Sequence, residues 1–383
     1  MARASIQQTD DTHPEADRLE GFPHPRERVT LIGHETAEQA LLEGHRSGKL
    51  HHAWLLAGPK GIGKATLAYR FARILLKYPT PDTTANLKTL ELDPDDNVFR
   101  LIAGMAHPDL VVLRPSIDQK TKRLRKQIVI DDVRALKAFL SKTASKQDGW
   151  RICLVDAVDE MNAASANALL KMLEEPPERA VFLLISHAPG RLLATIRSRC
   201  RRLDLKALPA DQIKTITLEL CGSDEPQGED MEKLVLLAQG SAAKALALTQ
   251  NNGLQVYDAM MGLLETLPTL NLTQLHAMAD KLSARTGQAP RDFILFGELL
   301  CEWLARLTRA GVDNTIVPNT READLIAKLA HSSDGAKWAD AWAEITHSLE
   351  RANALNLDRK QVIMQSFFNL EATANNTRLE IRA

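Results

Sequence analysis

Gly58-Pro59-Lys60-Gly61-Ile62-Gly63-Lys64-Ala65-Thr66 is the stretch on which the fold turns. It follows the apolar run His52 to Ala57 and opens a helical pattern from Thr66 to Lys77, so it is a glycine-rich turn between a strand and a helix. A bound phosphate needs backbone N–H groups turned inward, space that side chains at Gly61 and Gly63 would fill, a cation, and the positive end of a helix. Lys64 supplies the cation. The G-x-x-x-x-G-K spacing in this context predicts a nucleotide-phosphate cradle made of Gly58, Gly61, Gly63, Lys64 and Thr66, against the alternative of a plain strand-to-helix turn. Ala65 stands where a Ser or Thr hydroxyl normally holds Mg²⁺, and Thr66, one step on, points about 100° away. ATP or ADP binding is therefore expected to be open to this loop, and efficient hydrolysis is not.

Outward from the loop, further apolar runs alternate with helical patterns: Asp109 to Leu113, Gln127 to Ile130, Arg151 to Asp156 and Ala180 to Ser186. With His52 to Ala57 they predict an α/β domain over residues 29–208, a parallel sheet flanked by helices. Ile152-Cys153-Leu154-Val155-Asp156 ends in a carboxylate that could hold the metal of a bound nucleotide. The next residue is Ala157, whose methyl cannot orient an attacking water. Asp159 and Glu160 read as solvated loop. Ala166, Leu169, Leu170 and Leu173 recur at helical spacing, with Asn162 as a cap and Pro176-Pro177 as the stop. In Ser198-Arg199-Cys200, an arginine at a helix end either donates to carbonyls of its own chain or projects to a phosphate held by a neighbour, and spacing alone favours the first.

The rest of the chain divides by pattern. Residues 1–28, polar and aperiodic, read as a mobile arm; 209–252 as a small helical lid domain; 253–383 as an all-helical domain with stripes such as Phe296, Leu300, Trp303, Leu307 and Trp338, Trp342, Ile345, Leu349, expected to be core. The 383 residues carry 48 Lys plus Arg against 49 Asp plus Glu, so nucleic-acid contact would have to come from a local patch. Lys120, Lys122, Arg123, Arg125 and Lys126 form one such run, read as a solvent-exposed hairpin tip because no aromatic residue is interleaved for base stacking. The four cysteines, Cys153, Cys200, Cys221 and Cys301, lie far apart, which argues against a disulfide framework and a zinc knuckle. No signal-like or membrane-spanning stretch is read, and a cytoplasmic location is expected.

Taken in order, the loop, the Asp156 strand, Ala166-Asn167-Ala168-Leu169-Leu170-Lys171-Met172-Leu173-Glu174-Glu175-Pro176-Pro177 and Ser198-Arg199-Cys200 resemble the bacterial clamp-loader subunits of DNA polymerase III, which are AAA+ proteins. Ala65, Ala157 and Gly240-Ser241-Ala242-Ala243, which lacks the arginine of the family's G-S-x-R segment, resemble its non-hydrolysing delta-prime branch rather than gamma/tau. The resemblance implies a stator in a five-membered ring with gamma/tau and delta subunits that places a sliding clamp on primed DNA. It further implies Arg199 as an arginine finger to a neighbour's ATP, directed by Ser198 and Cys200, and a C-terminal collar that forms the ring. Many relatives carry a four-cysteine zinc module before the His-Pro-Asp segment, here His107-Pro108-Asp109. With no cysteine between 65 and 152, the insert Lys77 to Ala106 is expected to hold no zinc, and its Asp82, Glu91, Asp93, Asp95 and Asp96 to be solvated loop.

Overall fold

Aliphatic runs long enough for a strand and buried on both faces form the centre of the first half of the chain. A computed structural model describes residues 18–19, 21–116, 125, 127–146, 148–222, 226–250, 252–284, 289–310, 320–331, 334–355 and 357–376. Most of the expected arm, all of the basic run but Arg125, and Asn356 lie outside the described residues. Five parallel strands, β1 (Ala53–Ala57), β2 (Leu110–Leu113), β3 (Arg151–Val155), β4 (Ala180–Ser186) and β5 (Arg201–Asp204), form one sheet in the order β2-β3-β4-β1-β5.

The helices of this half are α1 (Glu35–Arg46), α2 (Lys64–Lys77), α3 (Pro81–Thr84), α4 (Asn97–Ala103), α5 (Ile130–Leu140), α6 (Ala163–Glu174), α7 (Ala194–Arg199) and α8 (Ala210–Cys221). Alternation along the strands divides the core. Leu55, Ala57, Cys153, Val155, Phe182 and Leu184 pack with Val133 and Leu136 of α5, Leu169 and Leu173 of α6 and Ile196 of α7. Their neighbours Trp54, Leu56, Leu154 and Leu183, pointing to the opposite face, are fully buried on the side of α2. The α/β architecture expected from the sequence is thus present.

Two strand assignments change. Gln127 to Ile130 forms no strand: Ile128 makes an isolated bridge to Met161, and Ile130 begins α5. The Asp132 side chain accepts a hydrogen bond from Val129 N (3.1 Å) and starts a helix where the short apolar run suggested extension. The fifth strand is Arg201–Asp204, an edge strand whose Arg201, Arg202 and Asp204 are exposed, so it carries no apolar signal. In the insert Asp82, Glu91, Asp93 and Asp95 are exposed, as expected, and the departure is Asp96 together with the apolar residues around it. Leu90, Phe99 and Ile102 are buried, Asp96 accepts from Val98 N (2.7 Å) to cap α4 and pairs with Lys77 (2.5 Å), and Asp93 accepts from Asp95 N (2.8 Å).

Helices make up the elements of the remaining described residues: α9 (Glu229–Ala238), α10 (Ala242–Gln250), α11 (Gly253–Leu264), α12 (Leu272–Ser283), α13 (Ala289–Ala310), α14 (Thr320–Ala330), α15 (Gly335–Leu355) and α16 (Arg359–Ala374). The chain forms two units, one of residues 1–220 with 239–244, the other of 221–238 with 245–383, so the expected lid, 209–252, is divided between them. In the second unit Phe296, Leu300, Trp303 and Leu307 are buried, as are Trp338, Ile345 and Leu349. Trp342 is the exception in its stripe, 38% exposed, with its indole N–H donating to Cys301 O (3.1 Å). Buried Glu322 accepts from the Tyr257 hydroxyl and the Arg306 guanidinium, tying α11, α13 and α14 together. Among the described residues no helix is long and apolar enough to cross a membrane.

Candidate functional site

The carboxyl ends of β1, β3 and β4 meet at one edge of the sheet, where an open parallel sheet places its ligands. The loop from Gly58 to Gly63 leaves β1 there and turns into α2. Gly58 N–H donates to Ser186 O of β4 (3.3 Å), and a Cβ at Gly58 would overlap Leu205 O. Gly61 has φ +76°; a Cβ there would overlap Ser241 Oγ and stand 2.8 Å from Ala243 Cβ. Ala243 N–H donates to Gly61 O (3.0 Å), so the Gly240-Ser241-Ala242-Ala243 segment is seated directly on the loop. On the other side the His34 ring nitrogen Nε2 lies 2.8 Å from Ile62 O, and burial lowers the pKa of that imidazole.

Lys64 opens α2 behind Gly63, which caps the helix in the left-handed region, and Thr66 follows half-buried in the first turn. The Lys64 ammonium is buried and donates to Gly58 O (2.7 Å) and to Pro59 O. Burial pushes its pKa down to about 8, opposed by the negative charges of Asp159 and Asp156. Asp156, just past the end of β3, is thus among the charges that act on Lys64. Asp159 is not the solvated residue expected: its carboxylate accepts from His187 N (3.0 Å) and Ala188 N (3.2 Å), fixing the chain as it leaves β4. Burial, with Lys64 nearby, pushes the His187 imidazole down to about 4. Ala157 is buried with φ +58°.

This arrangement fits a phosphate better than it fits a metal. A cation and the start of a helix converge there, and His187 Nδ1 and Ser186 Oγ are buried without a hydrogen-bond partner among the described residues. At position 65 a methyl stands where a metal would need oxygen. No group of three or more His, Cys, Asp or Glu suited to a metal occurs among the described residues.

The second constellation lies at the end of α7. Arg199, about one-third exposed, donates through Nη1 to Thr195 O (3.0 Å) and pairs through Nη2 with Glu174 Oε1 (2.8 Å). Ser198 Oγ donates to the same Thr195 carbonyl (3.1 Å). Cys200 is packed against the sheet core, where burial pushes its thiol up to about 12, so it anchors the backbone behind the arginine. The direct partners of the guanidinium are thus Thr195 and Glu174, and Glu174 is a residue that sequence reasoning passed over.

The model of the family described as DNA polymerase III, delta subunit matches residues 33–209. The delta-prime subunit of Pseudomonas aeruginosa is 33% identical over 259 residues, 67% of this chain and 72% of that protein. The chain belongs to the DNA polymerase III clamp-loader family. Within that family, the Escherichia coli delta-prime subunit is 28% identical over 338 residues, 87% of this chain and 92% of its own length. The Escherichia coli tau subunit is 30% identical over 298 residues, 74% of this chain and 44% of that longer protein. The clamp-loader match thus includes the loop, the Asp156 strand end and Arg199.

Proposed function

We propose that this clamp-loader family member is a delta-prime-like stator, which keeps a phosphate cradle but contributes to ATP hydrolysis at a neighbour's site. The observation that carries the reading is an asymmetry: Arg199 is part-exposed at the end of α7, whereas the chain's own site has methyl groups at Ala65, in the first turn of α2, and at Ala157, just past β3. Neither methyl can hold a metal or orient water. A guanidinium presented to an adjacent triphosphate stabilises charge spread over its equatorial oxygens, and fingers of this kind contribute roughly 10³ to 10⁵ in rate. In this reading Gly58, Gly61, Gly63, Lys64, Thr66 and Asp156 form a cradle able to take ATP or ADP without turnover. The partners are gamma/tau and delta subunits in a cytoplasmic ring, with the sliding clamp and primed DNA reached through the assembly.

The test is ATPase activity of the reconstituted ring. Arg199→Ala should remove the share of turnover that depends on the interface it serves while leaving the thermal unfolding of this chain unchanged. Unaltered ring activity would end the finger reading. The rival, an autonomous slow AAA+ ATPase using Gly61, Gly63, Lys64, Thr66 and Asp156, predicts turnover of Mg·ATP by the isolated chain that Lys64→Ala abolishes. A nucleotide-gated adaptor outside replication would fail to co-purify with clamp-loader subunits.

A further inference from the structure

Glu174 occupies a place that helix physics disfavours. It is the last residue of α6, and Glu175 caps the helix, so two carboxylates stand at the negative end of the helix dipole, each unfavourable there by about 0.3 to 1 kcal/mol. The position is fixed from both sides: Leu173 is buried in the sheet core, and Pro176-Pro177 prevents the helix from continuing. From this fixed backbone the Glu174 side chain, 42% exposed, reaches the end of α7, where it meets Arg199 at 2.8 Å. Thr195 O holds the other terminal nitrogen of the same guanidinium. Two of its nitrogens are thus engaged within the chain, and a third of the side-chain surface remains open.

We infer that Glu174 is the positioning residue of the arginine finger, a role that rests on the finger reading given above. A free arginine side chain carries about 2 kcal/mol of rotamer entropy, which must be lost when it engages a phosphate. The Glu174 and Thr195 contacts impose that loss before a neighbour arrives. Because a planar guanidinium has five N–H donors, donating to Glu174 and Thr195 leaves others for phosphate oxygens. Ser198 acts one step further back, through the Thr195 carbonyl.

The experiment measures steady-state ATPase of the reconstituted ring carrying Glu174→Ala, Glu174→Gln, Arg199→Ala or the Glu174→Ala/Arg199→Ala pair. Part-exposed ion pairs are weak, so Glu174→Ala should lower kcat by about two- to fivefold with KM for ATP unchanged. Glu174→Gln, which keeps an acceptor at the same reach, should retain most of the rate. In the Arg199→Ala background Glu174→Ala should have no further effect. An equal loss in both backgrounds, or a fall in ring assembly, would make Glu174 merely structural and overturn the inference. Unchanged or increased kcat for Glu174→Ala beside a defective Arg199→Ala would overturn it while sparing the finger. A silent Arg199→Ala would remove both.

Discussion

Lys64 is a cation kept largely out of water, and its titration gives the loop a pH signature. Its pKa in the fold, about 8, lies below the roughly 10.4 of a free lysine. Between those values the unfolded chain binds more protons than the folded one, so the contribution of Lys64 to stability rises with pH across that window. Lys64→Met should flatten this alkaline rise in urea unfolding midpoints. By the same titration, affinity for inorganic pyrophosphate should fall as pH passes above 8 in the native chain. His187 acts on the acid side: pushed to about 4 from an ordinary 6.5, it stabilises the fold fully above pH 6.5 and progressively less toward pH 4. His187→Gln should shrink the difference between urea midpoints at about pH 7 and about pH 5. The glycines, Lys64 and Asp156 were legible in the sequence because their chemistry is local to a strand end and a turn. His34, Asp159 and Glu174 were not, since each acts on a segment remote in sequence, as His34 does on Ile62 and Asp159 on His187.

Among the elements, the insert shows how a few buried groups can tie down a segment whose acidic side chains stay largely exposed. Arg70 and Arg73, on consecutive turns of α2, are buried. Arg70 donates to Glu38 (3.0 Å) and Val29 O, Glu38 also accepts from Leu90 N (2.5 Å), and Arg73 donates to Arg26 O (3.0 Å) and Arg28 O (2.8 Å) beneath the Phe99 ring. Burial, with Arg70 alongside, pushes Arg73 down to about 10. These contacts join α1, α2 and the insert without a metal ligand. Glu38→Ala would leave buried Arg70 with Val29 O and the more distant, exposed Glu91 carboxylate (4.0 Å). Since breaking a buried pair costs up to about 3 to 5 kcal/mol, a loss at or below that range is expected in denaturant unfolding, with faster hydrogen exchange around Leu90. Hydrophobic periodicity found α6 and its cap because both signals are local. It could not find β5, an edge strand with charged side chains, nor separate the 127–130 run from the start of a helix.

Across the whole molecule, the small contact between Ala243 N–H and Gly61 O joins two segments far apart in sequence. Ala243→Pro removes that donor near the start of α10, where a missing N–H is least damaging to the helix. A loss of about 0.5 to 1.5 kcal/mol is expected, with faster amide exchange confined to the 58–63 loop. The α/β class was readable from strand and helix alternation, but the division of the lid was not, because composition does not report which neighbour a short helix chooses. Residues 239–244 belong with 1–220, although the chain before and after them belongs elsewhere. A single proteolytic nick at 226–228 would consequently yield two polypeptides that co-elute, since the downstream piece carries the peptide that completes its upstream mate: a natural case of fragment complementation.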